Sequence, residues 1–457
     1  MKVAVLGLDC ATPQLVFDQF KSDLPNLSRL MAEGIYGELE STHPPITVPA
    51  WSCMMSSRDP GELGFYGFRN RKDYSYDGYS LANALAVREP LVWDYLQERG
   101  LRSILLGVPQ TYPPRPILGE MVTCFLTPST QEEYTYPAAL KEEIERVSGG
   151  YILDVENFRT DNKQAILDQI YEMTRRRFRV AKHLIAHHPW DFFMMVEMGV
   201  DRIHHGFWKY FDREHPKYEP RNPFENAIRE YYRFVDQEIG EILSLLDHDC
   251  AVMVVSDHGA KKMVGGICFN EWLMKQGYLC LKEVPSKPTP FSKVEIDWDH
   301  TMAWGEGGYY GRLFLNVKGR EPRGQIEPRD YEKVRDRLIA DIQAIEDPAG
   351  RRIGSIALRP EELYRATRGI PPDLIVYFGN LDWRSVGSVG YGSIHTFDND
   401  TGPDDANHAQ HGIFILRAPD RNGGRCLSGL RIYDVAPTIL NLFGIPIPEA
   451  MQGKMIQ

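Results

Sequence analysis

The sequence predicts an α/β protein with a doubly wound, mostly parallel sheet, helices on both faces and a cap insertion. Short apolar runs alternate with helical patterns along the chain, the order expected of a layered α/β fold. The runs are apolar at successive positions, as in Val3–Leu8, which marks strands covered on both faces. Four runs have an acid or a histidine close by. In open α/β sheets, ligands bind outside the carboxyl ends of the strands.

Taken in order, Val3–Leu8 reads as a buried strand. Residues 13–20 and 25–32 read as helices. Thr12 is placed to cap the first, with Pro13 at its first helical position. Gly34 closes the second. Further strands are expected at 103–108, Phe192–Glu197, 251–256, 312–317, 374–378 and 413–416. Long helices are expected at 162–186, 224–246, 331–345 and 431–443. Arg175, Arg176, Arg177 and Arg179 fall on one of these and read as a solvated face. Residues 60–135 are rich in Tyr, Arg, Asn and Pro, and 284–310 and 380–407 read as long loops. The expected organisation is a core of 1–60 and 190–457, with loop insertions at about 284–310 and 380–407. Residues 61–189 form a cap region that partly returns to the core.

The 457 residues allow two to four domains at roughly 150 residues each, or one large core with an insertion. With 43% apolar and 25% charged residues, a disordered or fibrous chain is excluded. The net charge of −11 argues against a surface that coats nucleic acid. No apolar stretch approaches the roughly 18 residues of a membrane span. The apolar run after Met1 is too short for a signal peptide, so a cytoplasmic location is expected. Seven cysteines with no C-x-x-C pair read as reduced, mostly buried thiols. The sequence leaves the oligomeric state open.

The chemistry gathers where the strand rule puts it. Val3–Leu8 ends in Asp9. Phe192–Glu197 leads to Asp201 and His205. The run 251–256 ends in Asp257 and His258, and His408 lies just before the last run. Three aspartates and three histidines at one sheet edge suit zinc, with manganese or iron as alternatives. Six ligands exceed one tetrahedral ion and fit two. A single aspartate there is more often a helix cap; the conjunction makes the metal reading. Thr47 stands before an expected helix at 48–57, with Pro49 in its first turn. It can cap that helix. Its hydroxyl can also face a phosphate at the helix N-terminus and become a metal-activated nucleophile.

These pieces resemble the alkaline phosphatase superfamily, and within it the type I phosphodiesterase/nucleotide pyrophosphatase branch. The matching motifs are Leu8-Asp9, Thr47-Val48-Pro49-Ala50-Trp51, Asp201-x-x-x-His205, Ser256-Asp257-His258-Gly259 and His408-x-x-x-Gly412. The tail at 433–448 and Met451-Gln452-Gly453 also match, all in the family's order. The resemblance implies an alkaline-phosphatase-like fold and a hydrolase of small phosphate esters or diesters. It implies one metal on Asp9, Thr47, Asp257 and His258, and another on Asp201, His205 and His408. Thr47 would form a covalent phospho-threonine. The expected cofactors are two divalent ions, zinc first.

The chain departs from this pattern after the nucleophile helix. Phe68 stands where the extracellular nucleotide pyrophosphatases carry a phosphate-gripping asparagine. Arg69 and Asn70 are the candidate substitutes, and Lys262 is a further candidate substrate contact. A phosphomonoesterase or phosphomutase of the same superfamily is the alternative. A sulfatase is disfavoured because no Cys or Ser lies in C/S-x-P-x-R. A non-catalytic phosphometabolite sensor is disfavoured because all seven expected site residues are present.

Overall fold

The computed structural model describes residues 1–419 and 423–457. Its centre is a nine-stranded sheet. From edge to edge the strands are Arg425–Arg431, Ile35–Glu40, His411–Arg417, Ala251–Val255, Val3–Leu8, Phe192–Glu197, Ser103–Leu106, Gly119–Val122 and Thr135–Tyr136. The run from Ala251–Val255 to Gly119–Val122 is parallel throughout. His411–Arg417 is antiparallel to both its neighbours, and Thr135–Tyr136 is antiparallel to its one partner. Every residue of Val3–Leu8, Phe192–Glu197 and Ala251–Val255 is buried. Helices on both faces account for that, as the unbroken apolar runs require.

The helix Lys163–His187 follows expectation within a residue of each end, with Asn162 capping it through Ala165 N–H. Helices Ala227–Leu245 and Tyr331–Gln343 also form. Among the described residues no helix is long and apolar enough to cross a membrane.

Several local expectations give way. Residues Gln14–Gln19 form a wide π-type turn, and Thr12 does not cap it. The Thr12 hydroxyl reaches Gln14 Oε1 and the Ala260 carbonyl, 248 residues away, so a tertiary bond displaces the local cap. Gly34 ends Pro25–Glu33 in an extended conformation, not a left-handed one. Its lack of a side chain is needed because a Cβ would lie 2.2 Å from the Leu416 carbonyl. Arg177 is buried, where a solvated face was expected; it donates to the carbonyls of Val196 and Leu153. The expected last helix begins as a 3-10 turn at Ile432–Asp434 and continues as Val435–Leu442.

Within 61–189, Ser103–Leu106, Gly119–Val122 and Thr135–Tyr136 extend the main sheet. The expected strands near 312–317 and 374–378 leave the main sheet. They form Gly311–Leu315 and Leu374–Tyr377 in a separate four-stranded antiparallel sheet with Ala303–Glu306 and Ile356–Leu358. That sheet has its own core, including Phe269, Trp304, Phe314 and Leu338. Apolar runs do not state which sheet they join, because a buried strand reads alike in either.

Candidate metal centre and nucleophile

Three adjacent parallel strands set the site. Ala251–Val255, Val3–Leu8 and Phe192–Glu197 lie side by side. Their carboxyl ends therefore deliver Asp257, Asp9 and Asp201 to one edge. His258 follows Asp257, and His205 stands one turn after Asp201 on the helix Gly199–Phe211. His408 arrives from a distant segment. Its strand Ala406–Ala409 pairs antiparallel with Gly259–Lys262, which sets His408 opposite Ala260. All six side chains, and Thr47, are buried.

Thr47 begins the segment Thr47–Ser56, which Val48 interrupts with a non-helical φ of −109° and ψ of 111°, so the regular helix follows Val48. The Thr47 hydroxyl lies 3.4 Å from Asp9 Oδ1 and 3.3 Å from His258 Nε2. Trp51, one turn on, donates its indole N–H to Asp9 Oδ2 at 2.7 Å. Gly7 makes room for that indole, since a Cβ there would sit 2.5 Å from the Trp51 ring. Cys10 turns the chain with a φ of 66°, and its N–H donates to Asp257 Oδ1. A non-glycine residue in this region is held by its surroundings at some cost in strain.

The imidazoles share one orientation. His205 Nδ1 meets Asp404 Oδ1 at 2.7 Å, His408 Nδ1 meets the Pro45 carbonyl at 2.8 Å, and His258 Nδ1 meets the Gly259 carbonyl at 3.1 Å. Each Nδ1 can only donate to such an acceptor. Each Nε2 therefore turns inward, the arrangement of metal-ligating histidines. His205 Nε2 lies 3.3 Å from His408 Nε2 and 3.2 Å from Asp201 Oδ1. His258 Nε2 lies 3.3 Å from Asp257 Oδ2, which has no hydrogen-bond partner among the described residues. His258 Nε2 and Asp257 Oδ2 thus face each other lone pair to lone pair, a conflict that a cation between them would relieve. The donor atoms of Asp201, His205 and His408 lie within 4.8 Å of one another, as do those of Asp9, Asp257 and His258. These two sets could each hold a divalent ion.

The electrostatics agree. Burial, then the Asp257 charge, pushes the Asp9 carboxyl well up. Burial does the same to Asp257. Burial also opposes charge on Asp201, but His205 and Arg202 prevail and hold it well below the usual carboxylate range. Burial, reinforced by His258 and His205, pushes His408 well down. Buried carboxylates that repel one another are what a bound cation would relieve.

A cavity of about 530 Å³ opens over Thr47, Asp201 and His408. Phe68, Phe125 and Phe158 line it, and so does Arg69. Asn70 is buried and turned into its own loop, accepting from Tyr66 N–H and donating to the Gly67 carbonyl. Lys262 pairs with Glu214 at 2.9 Å and is not part of this cavity's lining. His204 is a packed core histidine beside Tyr232; burial holds it down to about 3.

Two residues at the site escaped the sequence reading. Asp404 holds His205, and Tyr309 stacks on His408 with ring centres 4.1 Å apart. Both lie in or beside segments that read only as polar loops. The four-residue spacing of Asp404 from His408 was the only local signal.

Solved structures share this fold. Human ectonucleotide pyrophosphatase/phosphodiesterase 5 is 12% identical, with a TM-score of 0.55, covering 98% of this chain and 96% of that one. The murine enzyme, as an inactive threonine-to-alanine variant in complex with AMP, is also 12% identical. Its TM-score is 0.56 at the same coverage. No curated protein matches the chain in sequence. The model of the type I phosphodiesterase/nucleotide pyrophosphatase family matches residues 3–412, and the chain belongs to that family of hydrolases.

Proposed function

We propose that the chain hydrolyses a small phosphate diester through a covalent phospho-threonine on Thr47. In this reading Asp9, Thr47, Asp257 and His258 hold one divalent ion, and Asp201, His205 and His408 hold a second. Zinc is the first choice for a set of imidazoles and carboxylates, with manganese or iron as alternatives. The observation that carries the reading is the placement of the Thr47 hydroxyl, 3.3 Å from an inward-facing imidazole nitrogen and 3.4 Å from a carboxylate. Such ions, when bound, lower the pKa of a coordinated hydroxyl and offset charge developing on phosphate oxygens.

The protein groups then have defined tasks. Thr47 loses its hydroxyl proton as Oγ1 bonds to phosphorus and the bond to the leaving alcohol breaks; that oxygen departs with the electron pair and takes up a proton. Water then attacks phosphorus, the threonine ester breaks, and Thr47 Oγ1 regains the proton that the water gives up. Trp51 holds Asp9 in place during both steps.

The charges around the cavity favour a diester. Arg159 and Arg384 pair with Asp404, Arg202 with Asp154 and Asp201, and Arg312 with Glu306. Arg69 has no acidic partner among the described residues, so it is the lining arginine free to meet substrate charge. A diester carries less charge than a monoester and needs fewer compensating cations. The phenylalanine wall suits an apolar or planar leaving group. A nucleotide ester is the first such substrate to try, given AMP in the murine structure.

Initial rates on bis-p-nitrophenyl phosphate and p-nitrophenyl phosphate test the reading, after metal stripping and readdition of zinc or manganese. A metal-dependent preference for the diester supports it. A preference for the monoester moves the protein to the phosphatase or phosphomutase side.

A further inference from the structure

A second cluster of ligand-type side chains lies at the opposite edge of the sheet. Glu120 stands near the start of Gly119–Val122, Glu143 on the helix Leu140–Ser148, and His183 and His188 at the end of Lys163–His187. The amino ends of the parallel strands face this cluster, whereas the carboxyl ends face Thr47. None of these residues contributes to the site described above.

The geometry goes beyond a chance gathering of charges. His183 Nε2 lies 2.6 Å from Glu143 Oε1, and His188 Nε2 lies 3.1 Å from the same oxygen. Two imidazoles thus converge on one carboxylate. The other nitrogen of His188, Nδ1, lies 2.9 Å from Glu120 Oε1. That bond keeps a proton on Nδ1, so Nε2, which faces Glu143, is the nitrogen that would give up its proton to an ion, the carboxylate–histidine relationship that orients metal-bound imidazoles. Glu120 Oε2 is buried with no hydrogen-bond partner among the described residues, so this carboxylate has an acceptor to spare. The ligand atoms of Glu143, His183 and His188 already lie within 4.8 Å of one another. A tetrahedral zinc with bonds of about 2.0–2.2 Å needs separations of about 3.4 Å, which side-chain torsions can supply.

We propose that Glu143, His183 and His188 form a zinc site separate from the catalytic centre, with Glu120 as a positioning residue and water in the fourth place. All four side chains are partly exposed, so an ion can reach them. The ion ties the Leu140–Ser148 helix to the end of Lys163–His187, and through Glu120 to the Gly119–Val122 strand. Its role is to brace the sheet margin, since it lies away from the reacting groups.

The test is zinc equilibrium dialysis of the intact, catalytically loaded protein, comparing wild type with His183→Gln, Glu143→Gln and Glu120→Gln. Wild type should hold one more zinc per chain than His183→Gln or Glu143→Gln, with at least a hundredfold weaker binding at that position in those variants. Glu120→Gln should retain the site with roughly tenfold weaker binding. Turnover of the diester should match wild type in all three, which also shows that they fold. Added zinc should raise the thermal midpoint of wild type more than that of His183→Gln. Equal zinc content in wild type and the variants would overturn the proposal and leave an ion-pair network. So would identical zinc shifts in the thermal midpoint. Loss of zinc from the catalytic centre alone would appear as lost turnover, so the two readings fail separately.

Discussion

The Asp404 carboxylate receives the Nδ1–H of His205 at 2.7 Å, and both side chains are buried. This bond decides which nitrogen of His205 faces Asp201 and His408. Partners of this kind typically contribute ten- to hundredfold to metal affinity. Asp404→Ala should therefore weaken one divalent ion by about that factor and leave the other unchanged. Chelator competition, with circular dichroism as the folding control, measures it. Unchanged affinity for both ions would show that His205 needs no such support.

Trp51 acts on the other set. Its indole N–H is bonded to Asp9 Oδ2, and its ring occupies the space beside Gly7. Trp51→Phe keeps an aromatic ring but removes the donor and part of the buried indole's volume. It should cost about 1–3 kcal/mol of stability from the buried carboxylate oxygen left unbonded. It should also lower turnover. Gly7→Ala should produce a similar loss by crowding, about 1–3 kcal/mol, because the new methyl meets both Trp51 and Val196. Chemical denaturation and diester rates read both effects. Wild-type behaviour in either variant would detach this packing from the site.

Thr47→Ala should reduce diester turnover by at least roughly 10³-fold, the scale of removing a nucleophile. Its thermal midpoint should stay near wild type, since the hydroxyl's contacts are with the site side chains Asp9 and His258. Thr47→Ser should recover much of the rate. Stopped-flow trapping of phosphorylated enzyme should succeed with wild type and fail with Thr47→Ala. Equal turnover in wild type and Thr47→Ala would remove the assigned nucleophile.

Thiol reactivity follows burial. Cys426 is exposed and Cys280 partly so, whereas Cys10, Cys53, Cys124, Cys250 and Cys268 are buried. Burial also pushes the Cys10 and Cys53 thiols well up, which keeps them protonated. Alkylation of the folded protein, followed by mass spectrometry, should label Cys426 first and Cys280 more slowly. The other five should react only after unfolding. Early labelling of Cys10 would mean that the segment after Asp9 opens readily.

The ligand-type residues of the candidate site were legible because strand ends announce them: an apolar run followed by Asp9, or by Asp257 and His258, is local information. His408 was legible only through the conjunction, since its approach depends on a pairing with Gly259–Lys262 about 150 residues earlier. Tyr309 and the burial of Arg177 were not legible, and Asp404 had only its four-residue spacing from His408 to mark it. A buried charge looks solvated until its distant partners are known, here the carbonyls of Val196 and Leu153. Strand membership failed for the same reason at Gly311–Leu315 and Leu374–Tyr377. Their patterns specify burial, and burial is available in two sheets. Thr12 and Gly34 show the limit of capping rules, because a tertiary bond or a close backbone approach outweighed the local preference.

The hairpin strand Arg69–Arg71, which carries the free Arg69, is anchored through Arg71. Its guanidinium meets Glu321 Oε1 at 3.1 Å, and both side chains are almost wholly buried. It also lies 5.2 Å from the ring centres of Trp304 and Phe314. Breaking a buried pair by removing one partner generally costs about 3–5 kcal/mol, because the other charge is left uncompensated. The two ends are not equivalent here. Glu321 also accepts from Arg320 and from Val317 N–H, so it stays paired if Arg71 is lost. Among the described residues Arg71 would keep the Ser75 carbonyl as its one hydrogen-bond acceptor, beside uncharged aromatic faces. Glu321→Ala should therefore destabilise more than Arg71→Ala, with the glutamate variant nearer the upper end of that range. Urea denaturation of both variants gives the order. The reverse order would mean that packing of the arginine stem, not charge, holds the hairpin over the cavity.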